Sequence, residues 1–170
     1  MASEACAMQF PVQISVSFLR REAKMEYKYT HNNHSVGDSI WHMEWCPKYR
    51  YQMFSKFKYK SLAAGCIRKA AKEHNIEIIE LSVMPEHLHT VVKIPLTMTP
   101  SKALQLLKGR SSYLFFRNHP KAGSRYPRGH LWSRGKFAVS VGYSDLPSTI
   151  YYVQHQEEHH SSTLTGNSTL

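Results

Sequence analysis

The sequence feature that most constrains this fold is a His-hydrophobe-His triplet, His87-Leu88-His89, inside a run of strand-forming residues. Successive side chains of a β-strand point to opposite faces, so the two histidines share one face and Leu88 takes the other. Their Cα atoms would lie roughly 6.5–7 Å apart, close enough for both imidazoles to reach one metal ion. The residues expected to face the core are Leu88, Thr90, Val92 and Ile94. The triplet alone is equally compatible with a strand that carries two exposed histidines.

Hydrophobic periodicity around the triplet predicts a β-α-β-β-α-β chain followed by one more helix. We predict strands at 39–46, 76–84, 87–94 and 131–141, and helices at 59–74, 99–118 and 145–156. Such a chain forms an α+β, ferredoxin-like or RRM-like domain, with a four-stranded antiparallel sheet and two helices on one face. The last helix is then free to lie on or near the other face.

The length of 170 residues indicates one domain. We assign it to residues 25–158, with an N-terminal extension at 1–24 that need not be ordered and a flexible Ser/Thr-rich tail at 159–170. The three cysteines form no C-x-x-C pair, and their odd number argues against a disulfide framework. No apolar run is long enough to span a bilayer. We therefore expect a cytoplasmic protein with no membrane partner.

The charge balance points to a negatively charged partner. Lysine and arginine total 22 against 12 aspartate and glutamate, which gives a net charge of +10 and a pI near 9.6. On charge alone, nucleic acid is favoured over an anionic membrane surface as the partner.

The last predicted helix contains two tyrosine frames, because residues four apart share a helix face. Tyr152 lies on the same face as Gln156, and Tyr151 lies on the same face as His155. A tyrosine beside a metal-capable side chain, together with the His-x-His strand, suggests phosphoryl transfer with a phenol nucleophile. Two adjacent tyrosines on a helix are also compatible with plain packing.

Several separated segments together carry a family resemblance. They are Trp-Cys-Pro-Lys-Tyr-Arg at 45–50, Met-Pro-Glu-His-Leu-His at 84–89, Leu-Lys-Gly at 107–109, Leu-Trp at 131–132, Val-Gly at 141–142 and Tyr-x-x-x-Gln at 152–156. With these segments in this order, the chain resembles the single-tyrosine transposases of the smallest insertion sequences over about residues 27–159. Those enzymes belong to the nuclease class named HUH after the His-hydrophobe-His motif.

The resemblance implies roles for particular residues. Tyr152 would be the nucleophile that forms a 5′-phosphotyrosyl link and frees a 3′-hydroxyl, and the Tyr151–His155 frame is the alternative. His87, His89 and Gln156 would hold one divalent cation, Mg²⁺ or Mn²⁺. The family acts on single-stranded DNA with hairpins near the element ends. It works as a homodimer, in which residues 142–148 would form a hinge that passes the last helix to the partner.

Charge and resemblance together nominate a DNA-contacting set, with basic residues for phosphates and an aromatic ring for base stacking. Its members are Lys48, Tyr49, Arg50, Lys108, Arg110 and Arg134. Two alternatives to a transposase stay open. One is an RRM-like module that binds nucleic acid through its open sheet face. The other is a domesticated relative that binds hairpins without cutting them.

Overall fold

A four-stranded antiparallel sheet organises the structure, as the sequence predicts. The structure is a computed structural model that describes residues 29–32 and 35–156. In chain order the strands are β1 (His31–Asn32), β2 (Ser35–Val36), β3 (Ser39–Trp45), β4 (Glu77–Val83), β5 (Leu88–Ile94) and β6 (Phe137–Ser140). The sheet has the order β4-β5-β3-β6, and every neighbouring pair is antiparallel. The predicted β-α-β-β-α-β fold class is confirmed.

Two helices, α1 (Phe57–Glu73) and α2 (Pro100–Asn118), cover one face of this sheet. At the start of α2, the hydroxyl of Thr99 accepts a hydrogen bond from the backbone N–H of Lys102 at 3.2 Å. Pro100 occupies the first helical position, where its missing N–H leaves no partner unsatisfied. Each helix buries one apolar face, as amphipathic spacing requires.

The main core lies between these two helices and the inner face of the sheet. The alternation expected for the His-x-His strand is observed, because Leu88, Val92 and Ile94 belong to this core, whereas Val91 belongs to a separate apolar cluster. The sheet residues of this core include Met43, Trp45, Leu88, Val92 and Ile94. The helix residues that meet them include Ile67, Ala70, Leu104, Leu107 and Phe115.

The third helix, α3 (Leu146–Gln154), lies on the opposite face, against β4 and β5. Its apolar side chains Leu146 and Val153 form a small second core with Ile40 and Val91 of the sheet. The helix is therefore docked by a short apolar seam. The same sheet face also carries polar side chains and further apolar ones, such as Ile79 and Phe137.

Two details differ from the sequence-based prediction. The predicted strand 131–141 is only β6, because Leu131 and Trp132 leave the strand and pack in the main core. Trp132 is held there by a bridge to Pro47 and by its indole N–H, which donates to the Ser111 hydroxyl at 2.9 Å. The predicted lead-in loop contains the short antiparallel pair β1–β2.

The predicted extension at 1–24 and tail at 159–170 lie outside the described residues. Within the described part of the chain, no helix combines the length and apolar character needed to cross a membrane. Cys46 and Cys66 are free thiols.

Candidate active site

The histidine triplet places both imidazoles on the sheet face that carries α3. His87 lies just before β5 and His89 lies on it, and they are 6% and 4% exposed. Their ring centroids are 5.1 Å apart with planes at 80°. These histidines are therefore buried side by side, which excludes the alternative of two solvent-exposed rings.

The last helix brings Tyr152 to the same place. Its ring centroid is 5.9 Å from that of His89 and 6.1 Å from that of His42, and both contacts are edge-to-face. The Tyr152 side chain remains 38% exposed, so the phenol is open to a ligand from solvent. Gln156 follows one turn later, is 2% exposed, and donates from its amide Nε2 to the Tyr152 carbonyl at 3.0 Å.

The other tyrosine frame makes a ring contact of its own. Tyr151 stacks on His155 with ring centroids 3.9 Å apart, and His155 Nδ1 lies 2.8 Å from the Tyr151 carbonyl. The two frames expected from four-residue spacing are thus both present. Of the two phenol rings, Tyr152 is the one that contacts His89.

Two side chains of β3 border His89. His42 Nε2 lies 3.2 Å from His89 Nδ1, and Glu44 Oε2 lies 3.8 Å from the same nitrogen. Burial lowers the pKa of the His42 imidazole. Burial also raises the pKa of the Glu44 carboxyl, and the nearby charge of Arg50 partly offsets this rise. The interior of the site therefore disfavours net charge on either group.

The second histidine has its own carboxylate neighbour. Glu86 Oε1 lies 4.0 Å from His87 Nδ1 and 3.1 Å from Arg50 Nη2. Arg50 reaches this position from a short 3-10 turn in which Tyr49 and Arg50 both have positive φ, of 63° and 48°. Such left-handed backbone is unfavourable for residues with a side chain, so the surrounding contacts must hold this turn in place.

The chemistry of the predicted donors His87, His89 and Gln156 fits a divalent cation. Two imidazoles and an amide oxygen are suitable ligands for a first-row divalent metal, and the amide of Gln156 is oriented by the hydrogen bond that its Nε2 donates to the Tyr152 carbonyl. Within residues 29–32 and 35–156, no group of three His, Cys, Asp or Glu side chains is arranged to hold a metal. The predicted set contains only two residues of those types, and its third member is Gln156.

The predicted DNA-contacting residues fall into two regions. Lys48, Tyr49 and Arg50 lie on the strained turn beside His87, with the Lys48 ammonium 5.0 Å from the Tyr49 ring. Lys108, on α2, donates from Nζ to the Gly135 carbonyl at 2.9 Å, and burial lowers its pKa. It borders a groove of about 650 Å³ between α2 and residues 129–132.

The remaining two predicted residues differ in how readily a DNA phosphate could reach them. Arg134 is exposed on the loop before β6. Arg110 forms an ion pair with Glu73 and lies over the Tyr113 ring, with its guanidinium carbon 5.2 Å from the ring centroid. A phosphate would have to compete with Glu73 for this guanidinium, so Arg110 is the weakest of the predicted contacts.

His42 and Glu44 were not among the predicted site residues. The sequence did carry a signal for them, because strand alternation places both on one face of β3. Their proximity to His89 depends on the pairing of β3 with β5, in which Glu44 is directly opposite His89. That register becomes visible only in the folded sheet.

Comparison with known protein families gives one match over most of the chain. The family described as "Transposase IS200 like" matches residues 35–156. This range spans β2 to Gln156 and therefore includes the histidine pair, its β3 neighbours and Tyr152.

Curated relatives show the same similarity. The transposase for insertion sequence element IS200 of Salmonella typhimurium is 30% identical over 126 residues, which cover 74% of this chain and 81% of the relative. The ISDra2 transposase TnpA of Deinococcus radiodurans is 27% identical over 122 residues, with coverage of 69% and 84%.

Two solved structures share the fold. A crystal structure of a provisionally assigned transposase from Deinococcus radiodurans R1 superposes with a TM-score of 0.60 at 22% identity, covering 75% of this chain and 97% of that chain. A REP-associated tyrosine transposase bound to a REP hairpin gives a TM-score of 0.55 at 16% identity, with coverage of 77% and 73%.

Proposed function

This chain belongs to the IS200-like transposase family, and we propose that it cleaves and rejoins single-stranded DNA at hairpin-marked element ends through a phosphotyrosine at Tyr152. Membership of the family makes it a DNA-cutting and rejoining enzyme. The observation that carries the finer proposal is the position of the Tyr152 ring, 5.9 Å from that of His89 and still partly open to solvent.

The proposed chemistry conserves the energy of the DNA backbone. The phenol oxygen of Tyr152 attacks phosphorus, a Tyr–O–P bond forms, and the bond from phosphorus to the 3′-oxygen breaks. The phenol proton passes, overall, to the departing 3′-oxygen. The products are a 5′-phosphotyrosyl strand and a free 3′-hydroxyl. The same step in reverse, with a 3′-hydroxyl from another strand, rejoins the DNA without an added energy source.

The residues proposed to hold a divalent cation are His87, His89 and Gln156. A bound Mg²⁺ or Mn²⁺ would withdraw charge from the scissile phosphate and orient it. The task of the chain itself is to keep the two imidazoles on one buried face and Tyr152 beside them. The apolar seam that includes Val91 and Val153 packs α3 against this face.

The DNA is proposed to lie along the strained turn beside His87 and toward the α2 groove. The hairpin bound by the structurally similar REP-associated transposase supports a hairpin as the ligand. Lys48, Tyr49 and Arg50 border the site directly, whereas Lys108 and Arg134 are proposed to contact a more distant part of the strand. Arg110 would contribute least because Glu73 already neutralises it.

The decisive experiment incubates the full chain with single-stranded hairpin oligonucleotides and Mg²⁺ or Mn²⁺, then separates the products on a denaturing gel. The oligonucleotide carries one label at each end. We expect the 3′-labelled fragment to migrate with the protein and the 5′-labelled fragment to be released with a free 3′-hydroxyl. Tyr152→Phe should abolish the adduct, and a chelator should do the same.

Tyr151→Phe is the matched control, since it removes the neighbouring phenol from the same helix and should leave the adduct intact. An adduct that survives in Tyr152→Phe but not in Tyr151→Phe would move the nucleophile to the other frame. Hairpin binding without any adduct would favour the non-cutting alternative. The RRM-like alternative is less favoured, because α3 lies over two strands of the face that such a module uses.

The proposal includes a homodimer in a cytoplasmic compartment. Because Tyr152 contacts His89 of the same chain, the geometry supports a site completed within one subunit. We therefore expect a mixture of Tyr152→Phe and His89→Ala chains to remain inactive after co-refolding. Restored adduct formation in the mixture would show instead that α3 is supplied by the partner. Light scattering gives the mass of the assembly.

A further inference from the structure

The inference concerns His42, a histidine of β3 that lies beside the proposed cation ligands. Its Nε2 is 3.2 Å from Nδ1 of His89, and the two rings are nearly parallel, with planes 18° apart. Both side chains are at least nine-tenths buried, at 9% and 4% exposure. A buried nitrogen–nitrogen contact of this length is a hydrogen bond, so one of the two nitrogens carries the hydrogen.

The position of that hydrogen decides what His89 can bind. A neutral imidazole has one N–H donor and one acceptor nitrogen. If His89 donates from Nδ1, its lone pair lies on Nε2, and that nitrogen can be the cation ligand. If His42 donates instead, the hydrogen of His89 lies on Nε2 and that nitrogen cannot be a ligand.

Glu44 favours the first arrangement. Its Oε2 lies 3.8 Å from the same Nδ1 of His89. In its ionised form, which the nearby charge of Arg50 favours, a carboxylate only accepts hydrogen bonds, so it attracts a hydrogen on Nδ1 and repels a bare electron pair there. The Nδ1 side of His89 thus faces two groups of β3, the Glu44 carboxyl and the His42 Nε2, and both can accept the same hydrogen.

We propose that His42 is a positioning residue that accepts the Nδ1 hydrogen of His89 and so fixes the tautomer whose Nε2 can bind a cation. Metal-binding histidines generally donate their second N–H to such a neighbour, which fixes both the ring and the tautomer. The assignment of a cation to His89 rests on the proposed function. The tautomer of His89 does not, and it can be measured without any metal.

The first test is therefore made on the metal-free full chain, by nitrogen-detected NMR of the histidine side chains above the ordinary histidine pKa of about 6.5. We expect His89 to carry its hydrogen on Nδ1 in the wild type. His42→Gln places an amide oxygen near the former Nε2 and should keep this tautomer. His42→Asn is too short to do so and should lose it. An Nε2–H tautomer of His89 in the wild type would overturn the proposal.

The second test measures Mn²⁺ affinity by electron paramagnetic resonance. Loss of an outer partner typically weakens metal affinity by about 10- to 100-fold, so His42→Asn should show at least about 10-fold weaker binding. His42→Gln should lie close to the wild type. His119→Ala is the matched control, because that imidazole packs on Tyr59 of α1 and should have no effect.

The two tests separate the inference from the function on which it partly rests. If the wild type has the Nδ1–H tautomer but binds no Mn²⁺, the cation site fails while the His42–His89 contact stands. If Mn²⁺ binds equally to wild type and His42→Asn, the positioning role is overturned and the site itself survives. Because the first result needs only the wild type, a variant that fails to fold does not remove the test.

Discussion

Along β5, Leu88, Thr90 and Val92 pack beneath α1 and α2, whereas His89 and Val91 lie on the face that α3 partly covers. The first face meets two long helices and forms one continuous apolar core. The second has a smaller apolar seam, and the polar side chains His42 and His89 are buried beside it. The stability of the domain thus depends mainly on one face, and the proposed chemistry depends on the other.

The difference shows how one strand can serve two purposes. Side chains alternate at every residue, so adjacent positions meet entirely different environments. Apolar burial on one face supplies free energy that can offset the unfavourable burial of His42, His89 and Glu44 on the other. A register slip of one residue would exchange the two faces, and for that reason the pairing of β3 with β5 must be strictly specified.

The largest expected effect comes from substituting neighbours on opposite faces. Leu88→Ala leaves a cavity in the main core and should lower the free energy of unfolding by about 2–5 kcal/mol. His89→Ala should lower it by less, since it removes a polar side chain outside that core. Urea unfolding measures both. His89→Ala should nevertheless abolish the DNA adduct, while folded Leu88→Ala retains it. Equal losses of stability in Leu88→Ala and His89→Ala would contradict the inference that stability depends mainly on the face covered by α1 and α2.

A smaller effect is expected at the α3 seam. Val153→Ala removes two buried carbon atoms and should weaken docking of the helix by about 1.5 kcal/mol, from about 0.8 kcal/mol per methylene. Because the seam is short, α3 should open without global unfolding. Hydrogen exchange should then accelerate in residues 146–156 alone. Val92→Ala, on the other face, is the matched control and should accelerate exchange throughout the domain.

A buried tyrosine hydroxyl tests how the main core tolerates a polar group. The Tyr126 hydroxyl is buried and has no hydrogen-bond partner among the described residues. Burial raises the pKa of Tyr126 to about 12. Since an unsatisfied buried hydroxyl is unfavourable by about 1–3 kcal/mol, Tyr126→Phe should stabilise the domain by up to about 1 kcal/mol. Thermal unfolding measures the change, and a destabilised variant would reveal a role for the hydroxyl.

The smallest expected effect is a dependence on pH that arises on the histidine face. Burial lowers the pKa of His42, so the unfolded chain takes up a proton that the folded chain does not. Stability should therefore fall as pH drops below about 6.5, the unfolded value. Urea midpoints in chelator, at pH about 7.5 and about 5.5, measure this, and His42→Gln should reduce the slope. If His42→Gln leaves the change of urea midpoint with pH unaltered, the pH dependence arises from other titratable groups.

Local pattern was enough for most of the fold. The spacing of apolar residues predicted α1 and α2, and the Thr99-Pro100 start of α2 was placed to the residue because a cap is a local interaction. The same local pattern misplaced Leu131 and Trp132 in the last strand. A short apolar segment looks the same in sequence whether it pairs in a sheet or packs beneath a helix. Only the contacts of Trp132 with Pro47 and Ser111 distinguish the two arrangements.

The site, too, has features that local sequence spacing predicted and features that it could not predict. Four-residue spacing predicted the frames of Tyr152 with Gln156 and of Tyr151 with His155, because both lie within one helical turn. It could not decide which frame meets the histidines. The ion pairs of Arg50 with Glu86 and of Arg110 with Glu73 were also invisible, since each joins residues that are distant in sequence.

The amino-acid sequence by itself determined which side chains share a face, because backbone geometry repeats every two residues in a strand and every 3.6 in a helix. Only the tertiary structure decided which of those faces meet. His42 and His89 are separated by 47 positions, and it is the pairing of β3 with β5 that brings their nitrogens within 3.2 Å. The docking of α3 then adds Tyr152, since packing over long separations depends on the whole sheet and its second face.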